Sequence, residues 1–166
     1  MGTTVIAIAG ATVVPLILGF VWYHPKVFGN AWMKASGLSV ENMKGSNMLL
    51  IFGMTTLFSL FIATFMQFVV IHQIHFSSIL TNQLDSSDPN SESSLLLKKL
   101  MNLYGTSYRT FKHGAFHGTA AGILLALPIL GINALFERKG SKYIALNAGY
   151  WILCLGLMGG IICAFS

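Results

Sequence analysis

The chain has 166 residues, of which 54% are hydrophobic and only 9% charged, with a formal net charge of +5. A soluble domain carries about 25% charged residues, so this composition excludes one. The ten basic residues are scattered through the sequence and form no nucleic-acid footprint.

Four uncharged apolar stretches dominate, at 3–23, 48–71, 114–136 and 143–165. A helix rises about 1.5 Å per residue, so about 20 residues cross a hydrocarbon core of about 30 Å. Each stretch is long enough. The fold predicted is an all-α polytopic membrane protein, 1–166 forming one antiparallel bundle of four transmembrane helices. The spans fall at about 3–23, 48–72, 112–136 and 143–165, and no length is left for a separate soluble domain.

The first span has no basic segment before it and runs through Trp22-Tyr23, a pair that favours the headgroup level, so it reads as a retained span. Pro25 suits the first turn of a new helix. Phe28 and Trp32 share one face of it, Lys26 and Lys34 flank them, and Gly37 is a stop signal. This predicts a short interfacial helix in the first loop. Ser39 is placed to cap one more turn, with Leu38 and Met43 as a hydrophobic staple.

The second span continues through Ile71-His72-Gln73-Ile74-His75-Phe76. The acidic, turn-forming segment 85–94 then predicts a mobile outward loop over about 77–106. Within that loop Leu96, Leu97, Leu100, Leu103 and Tyr104 recur at helical spacing, with Lys98 and Lys99 between them, so a second amphipathic helix should end at Gly105. The third helix should begin near Ser107. The short loop 137–142 makes the last two spans a hairpin.

Gly114, Gly118, Gly122 and Ala126 recur every fourth residue in the third span, as do Gly156, Gly160 and Ala164 in the fourth. In lipid such ladders let backbones approach closely. They can close the bundle internally or join subunits. Pro15 and Pro128 lie mid-span and should kink their helices. Cys154 and Cys163 are about 13.5 Å apart along the fourth helix, too far for a disulfide within one chain.

The run Gly19-Phe-Val-Trp22-Tyr-His-Pro25-Lys-Val-Phe28-Gly29-Asn-Ala-Trp32-Met-Lys34 resembles the signature of a family of small bacterial membrane proteins, the domain-of-unknown-function family seventeen-sixty-one. Ile71-His72-Gln73, Tyr108-Arg-Thr-Phe-Lys-His113-Gly-Ala-Phe-His117-Gly118 and Gly131-Ile-Asn133-Ala-Leu-Phe136-Glu137-Arg138-Lys139 are similar to its Bacteroidetes-type members. So is Tyr143-Ile-Ala-Leu-Asn147-Ala-Gly149-Tyr150-Trp151. The likeness covers the chain except 76–105. It implies a four-helix membrane fold in the bacterial inner membrane, with no assigned activity and no catalytic residues.

The sequence contains no Walker loop, dinucleotide fingerprint, Cys-x-x-Cys or His-Glu-x-x-His. No span holds Asp or Glu, which excludes an intramembrane aspartyl protease and leaves Gln67, Asn133 and Asn147 as the intramembrane polar residues. No enzyme is predicted. Asn133 and Glu137 share a face at the mouth of the third span, placed to fix the hairpin loop or to touch a solute. The function predicted is a non-enzymatic structural or assembly subunit, which needs only spans, small-residue ladders and interfacial helices; the alternatives are a metal- or haem-binding protein and a small-solute transporter or channel acting as an oligomer. The partners implied are the bilayer and a second copy or other membrane subunits.

Four of the five histidines fall on one side of the membrane, His72 and His75 closing the second span and His113 and His117 opening the third. Spacings of i,i+3 and i,i+4 put each pair on one helical face. Neutral imidazoles suit zinc, copper, nickel or iron, and bis-histidine haem ligation could use one residue from each pair.

The first and third loops carry Lys26, Lys34, Lys44, Arg138, Lys139 and Lys142, and the second carries Lys98, Lys99, Arg109 and Lys112. The basic excess predicts cytoplasmic first and third loops, with termini and second loop outward. A cysteine at Ser91 should therefore be labelled by an impermeant maleimide on intact cells, and one at Gly140 should not. The reverse pattern would invert the topology.

Overall fold

The computed structural model describes residues 2–84 and 88–166, apart from the side chains of Val40 and Met43. The Leu38–Met43 staple and the part of the acidic turn at 85–87 lie outside the described residues. Four helices are long and apolar enough to cross a membrane: Gly2–Trp22, Met48–Val70, Phe111–Phe136 and Ser141–Phe165. The fold is all-α, and the four run antiparallel in sequence.

The first span is two segments, α1 (Gly2–Thr12) and α2 (Val14–Trp22). Pro15 sits in the first turn of α2, where its missing N–H is no loss. The chain then turns at His24, whose Nδ1 accepts from Lys26 N at 3.2 Å. A π-helical turn, Pro25–Gly29, leads into α3 (Asn30–Ser36), which stops at Gly37 in the left-handed conformation at φ 77°. The predicted aromatic face meets the rings at the end of the first span: Phe28 lies tilted against Trp22 at 4.4 Å and Trp32 edge-on to Tyr23 at 5.3 Å. Polar partners tie it to the bundle, because Trp32 Nε1 donates to Asn147 Oδ1 at 3.2 Å and Lys139 Nζ donates to the C-terminal carbonyl of α3, Ser36 O. Ser39 caps α4 (Val40–Met43) through Asn42 N.

The second span, α5 (Met48–Val70), ends earlier than its apolar pattern suggests. Ile71 is extended, and a separate helix α6 (Gln73–Leu80) follows. A helix end leaves its last carbonyls without partners. Side chains supply them here: His75 bonds Phe68 O at 3.0 Å and Cys163 Sγ donates to Val70 O at 3.4 Å. Much of the loop predicted to be mobile is helical, because α6 leads into a short 3₁₀ turn and Ser91 caps α7 (Glu92–Tyr104). The Gln73 side chain, itself buried, donates to Tyr104 O and Ser107 O, both at 2.8 Å, and ties α7 to the end of the bundle. Leu95, Leu96, Leu103 and Tyr104 stay exposed on α7, which suits a helix at a lipid interface.

The third span begins within a residue of its expected start, but its helix does not extend back to Ser107: α8 (Phe111–Ala121) is capped by Thr110 through His113 N. A π turn at Gly122–Ala126 joins it to α9 (Leu127–Phe136). Pro128 lies in the first turn of α9, so the π turn absorbs the backbone bond that proline cannot make. Arg138 closes α9 in the left-handed region at φ 57°. Lys139 N bonds Ala134 O and Arg138 N bonds Leu135 O, a Schellman closure. Asn133 and Glu137 are both exposed, and among the described residues neither side chain makes a hydrogen bond; backbone closure fixes the hairpin.

The fourth span, α10 (Ser141–Phe165), is the most buried of the four and lies at the centre. Its Cys154, Met158, Ile162 and Cys163 are fully buried and form one core cluster with Ala11, Ala63, Met66 and Val70 from α1 and α5. Against α8 there is no room for side chains. A methyl group on Gly118 would overlap the Leu155 carbonyl, one on Gly114 the Gly159 carbonyl, and one on Gly122 would meet Ile152 Cα at 2.7 Å. From the other side, Gly156 faces Thr119, Gly159 faces Gly114, and Gly160 holds the Phe111 ring.

Gly118→Leu should therefore lower the melting temperature in detergent sharply, because overpacking alone costs about 1–3 kcal/mol and here the obstacle is backbone. Gly53→Leu is the control, since nothing lies within 4 Å of a side chain there. Equal melting of both variants and the parent would show that the α8–α10 seam carries no stability.

Candidate metal centre

One end of the bundle gathers the end of α5, the start of α8 and the end of α10. Thr110 starts α8 so that His113 and His117, one turn apart, face the α5 terminus. The break at Ile71 brings His72 to meet them. His72 Nε2 and His113 Nε2 lie 3.0 Å apart. Ring centroids are separated by 5.1 Å for His72–His113, 5.0 Å for His72–His117 and 4.5 Å for His113–His117. One nitrogen from each of the three rings lies within 4.8 Å of the others.

His75, predicted as the fourth member, does not join them. His75 shares the first turn of α6 with His72, but its Nε2 turns back to bond Phe68 O and is spent there. His24 is at the opposite end, where it caps the turn at Lys26.

The surroundings hold this triad in place through backbone contacts. Tyr108, in the left-handed region at φ 61°, lays its ring against His113 at 5.1 Å. Cys163 Sγ lies 3.4 Å from Val70 O and 3.3 Å from Tyr108 O, so a thiol of α10 bridges the two segments that carry the histidines. Arg109 donates to Cys163 O at 3.2 Å and to Ser166 O, placing a cation on the C-terminal carbonyls of α10 where the helix dipole favours it. No carboxylate is within the group; the rings are oriented by packing, by each other and by the Thr110 cap.

Three convergent imidazoles match a first-row metal ion. Metal–nitrogen bonds of about 2.0–2.1 Å in tetrahedral geometry separate ligand nitrogens by about 3.3 Å, close to the spacing found between His72 and His113. Haem fits worse. Its two axial nitrogens lie on opposite faces of a planar macrocycle, and 3.0 Å between His72 and His113 leaves no place for that plane.

The remaining residues singled out from sequence fall elsewhere. Gly114, Gly118, Gly122, Gly156 and Gly160 line the α8–α10 seam. Gln67 is half-buried and its amide donates to Thr64 O. Asn147 accepts from Trp32 and Tyr23 and donates to Tyr143 O. A groove of about 470 Å³ between α5 and α9, lined by Phe61, Phe65, Leu125, Ile129 and Trp151, is wholly apolar and offers a solute no polar group.

The chain matches, over residues 6–163, the family described as "Protein of unknown function (DUF1761)". It belongs to that family. Neither a curated protein nor a solved structure matches it. The family match spans the seam, the triad and the aromatic end alike.

Replacing Cys163 by Ser should keep one donor between Val70 O and Tyr108 O, which share the single hydrogen, because a hydroxyl donates as a thiol does. Cys163→Val should lose it and lower the melting temperature by several degrees. Equal melting of the two variants would show that the thiol only fills space.

Proposed function

We propose that this protein is a non-enzymatic metal-binding protein of the bacterial inner membrane, holding one divalent transition metal between its second and third spans. The observation that supports the reading is the convergence of His72, His113 and His117 at one bundle end. Three neutral imidazoles with no thiolate or carboxylate suit zinc or copper(II). A three-protein-ligand set leaves a coordination position for water or for a ligand handed over from outside.

The assembly-subunit reading draws on the spans, the interfacial helices and the glycine ladders. The seam between α8 and α10 uses the ladders within the chain, so they are no argument for a contact between subunits. The transport reading needs a polar path, and the apolar groove between α5 and α9 offers none. By the distribution of basic residues the triad faces outward with the two termini, so the metal would arrive from outside the cell membrane.

Protein purified without chelator should carry about one zinc or copper per chain, or take up one on titration. The His113→Ala, His117→Ala double variant should lose it while His75→Ala keeps it, since His75 is committed to Phe68 O. Metal ligands must be deprotonated, so affinity should fall as the pH is lowered and protons compete for the imidazoles. A parent protein with no uptake at pH 7.5, or equal loss in His75→Ala, would overturn the reading.

A further inference from the structure

The opposite end of the bundle carries a second site, independent of the metal centre. There α5 packs along α1 and α10 and draws away from α2, opening a crevice of about 650 Å³. Gly19 on α2 makes its width, because a methyl group there would stand 3.4 Å from the Tyr150 hydroxyl. Tyr150 forms the floor, with its hydroxyl fixed on Pro15 O at 2.7 Å. Trp32 and Tyr23 line the inner end, both tied to Asn147. Phe20 and Phe52 stack across the lipid side at 6.0 Å, and both are exposed.

Two polar groups in this aromatic cleft have no hydrogen-bond partner among the described residues. Nδ1 of His24 accepts from Lys26 N, so the neutral ring carries its proton on Nε2, a free donor at the mouth. Thr55 Oγ1 is the second, on the α5 wall, one donor and acceptor about 10 Å deeper than the start of that helix at Met48. Aromatic walls accept a flat ring by stacking, and free donors select one that carries acceptors. No carboxylate lines the cleft, and Lys26 lies beside His24, so a cationic ligand finds no counter-charge. A plain acyl chain would leave both donors unused.

We propose that this crevice binds a quinone-class lipid: an uncharged planar ring with carbonyl oxygens at the level of His24 and Thr55, its tail leaving past Phe20 and Phe52 into the hydrocarbon. The α2–α5 opening admits it sideways from the bilayer.

The probe is decylubiquinone, titrated into the full chain in nanodiscs. In a Trp151→Phe background the fluorescence of Trp22 and Trp32 reports this end of the bundle alone, because Trp151 lines the other groove. Quenching should saturate near one quinone per chain. Thr55→Val, which keeps the shape and removes the hydroxyl, should weaken binding about threefold to tenfold. His24→Asn keeps a cap for Lys26, removes the Nε2 donor and should weaken it similarly. Gly19→Leu fills the crevice and should abolish saturable quenching, with melting temperature confirming that the variant is folded. Unchanged binding in Thr55→Val and Gly19→Leu would overturn the proposal. So would reversal of the quenching by decane at concentrations comparable to the quinone's, which would make the crevice a simple acyl-chain groove.

Discussion

The carbonyl oxygens of Leu155 and Gly159 lie where side chains on Gly118 and Gly114 would otherwise stand. That backbone-to-backbone approach of α8 and α10 is the constraint on which the bundle depends. In lipid, burying apolar surface between helices gains little, because hydrocarbon is as apolar as leucine. Close packing and contacts between Cα hydrogens and carbonyl oxygens must hold the helices instead. α10 becomes the central post, and α1 and α5 pack on its remaining faces through Ala11, Ala63, Met66 and Met158.

The seam also decides what the bundle ends look like. With α8 pressed on α10, Gly114 abuts Cys163, whose thiol reaches Val70 O and Tyr108 O. The end of α5 and the approach to α8 are thereby pinned to one atom of α10. His72 leaves the first of these segments and His113 follows the second, so their meeting is a consequence of helix packing. At the other end no such seam exists, α2 and α5 diverge, and aromatic rings with a few polar tips fill the gap. One end therefore presents nitrogen ligands at contact distance, and the other an aromatic cleft open to lipid.

The four spans, both surface helices and the rhythm of small residues are readable from the sequence because apolar length and i,i+4 spacing are local properties. The stop at Gly37 and the cap at Ser39 are local too. The break at Ile71 is not, since no glycine or proline marks it. It is stabilised by His75, which bonds Phe68 O seven residues back, and by Cys163, which reaches Val70 O from ninety-three residues on. The i,i+3 spacing makes His75 a partner of His72, but its Nε2 is taken by Phe68 O, a contact that spacing alone does not show. The docking of α3 depends on Asn147 and on Lys139, both far along the chain. Gly159, which sits on Gly114 in the seam, falls off the every-fourth-residue ladder of Gly156 and Gly160, and only the pairing of two antiparallel helices shows its part. The aromatic crevice had one sequence trace, the Trp-Tyr-His-Pro run, whose rings read as an interfacial belt.

X-ray absorption at the metal edge of zinc- or copper-loaded protein tests the central claim most directly. The account predicts the multiple-scattering signature of three imidazoles at about 2.0–2.1 Å, with any further ligand a light oxygen or nitrogen atom. A sulfur ligand at about 2.3 Å, or a shell with one imidazole or none, would contradict it.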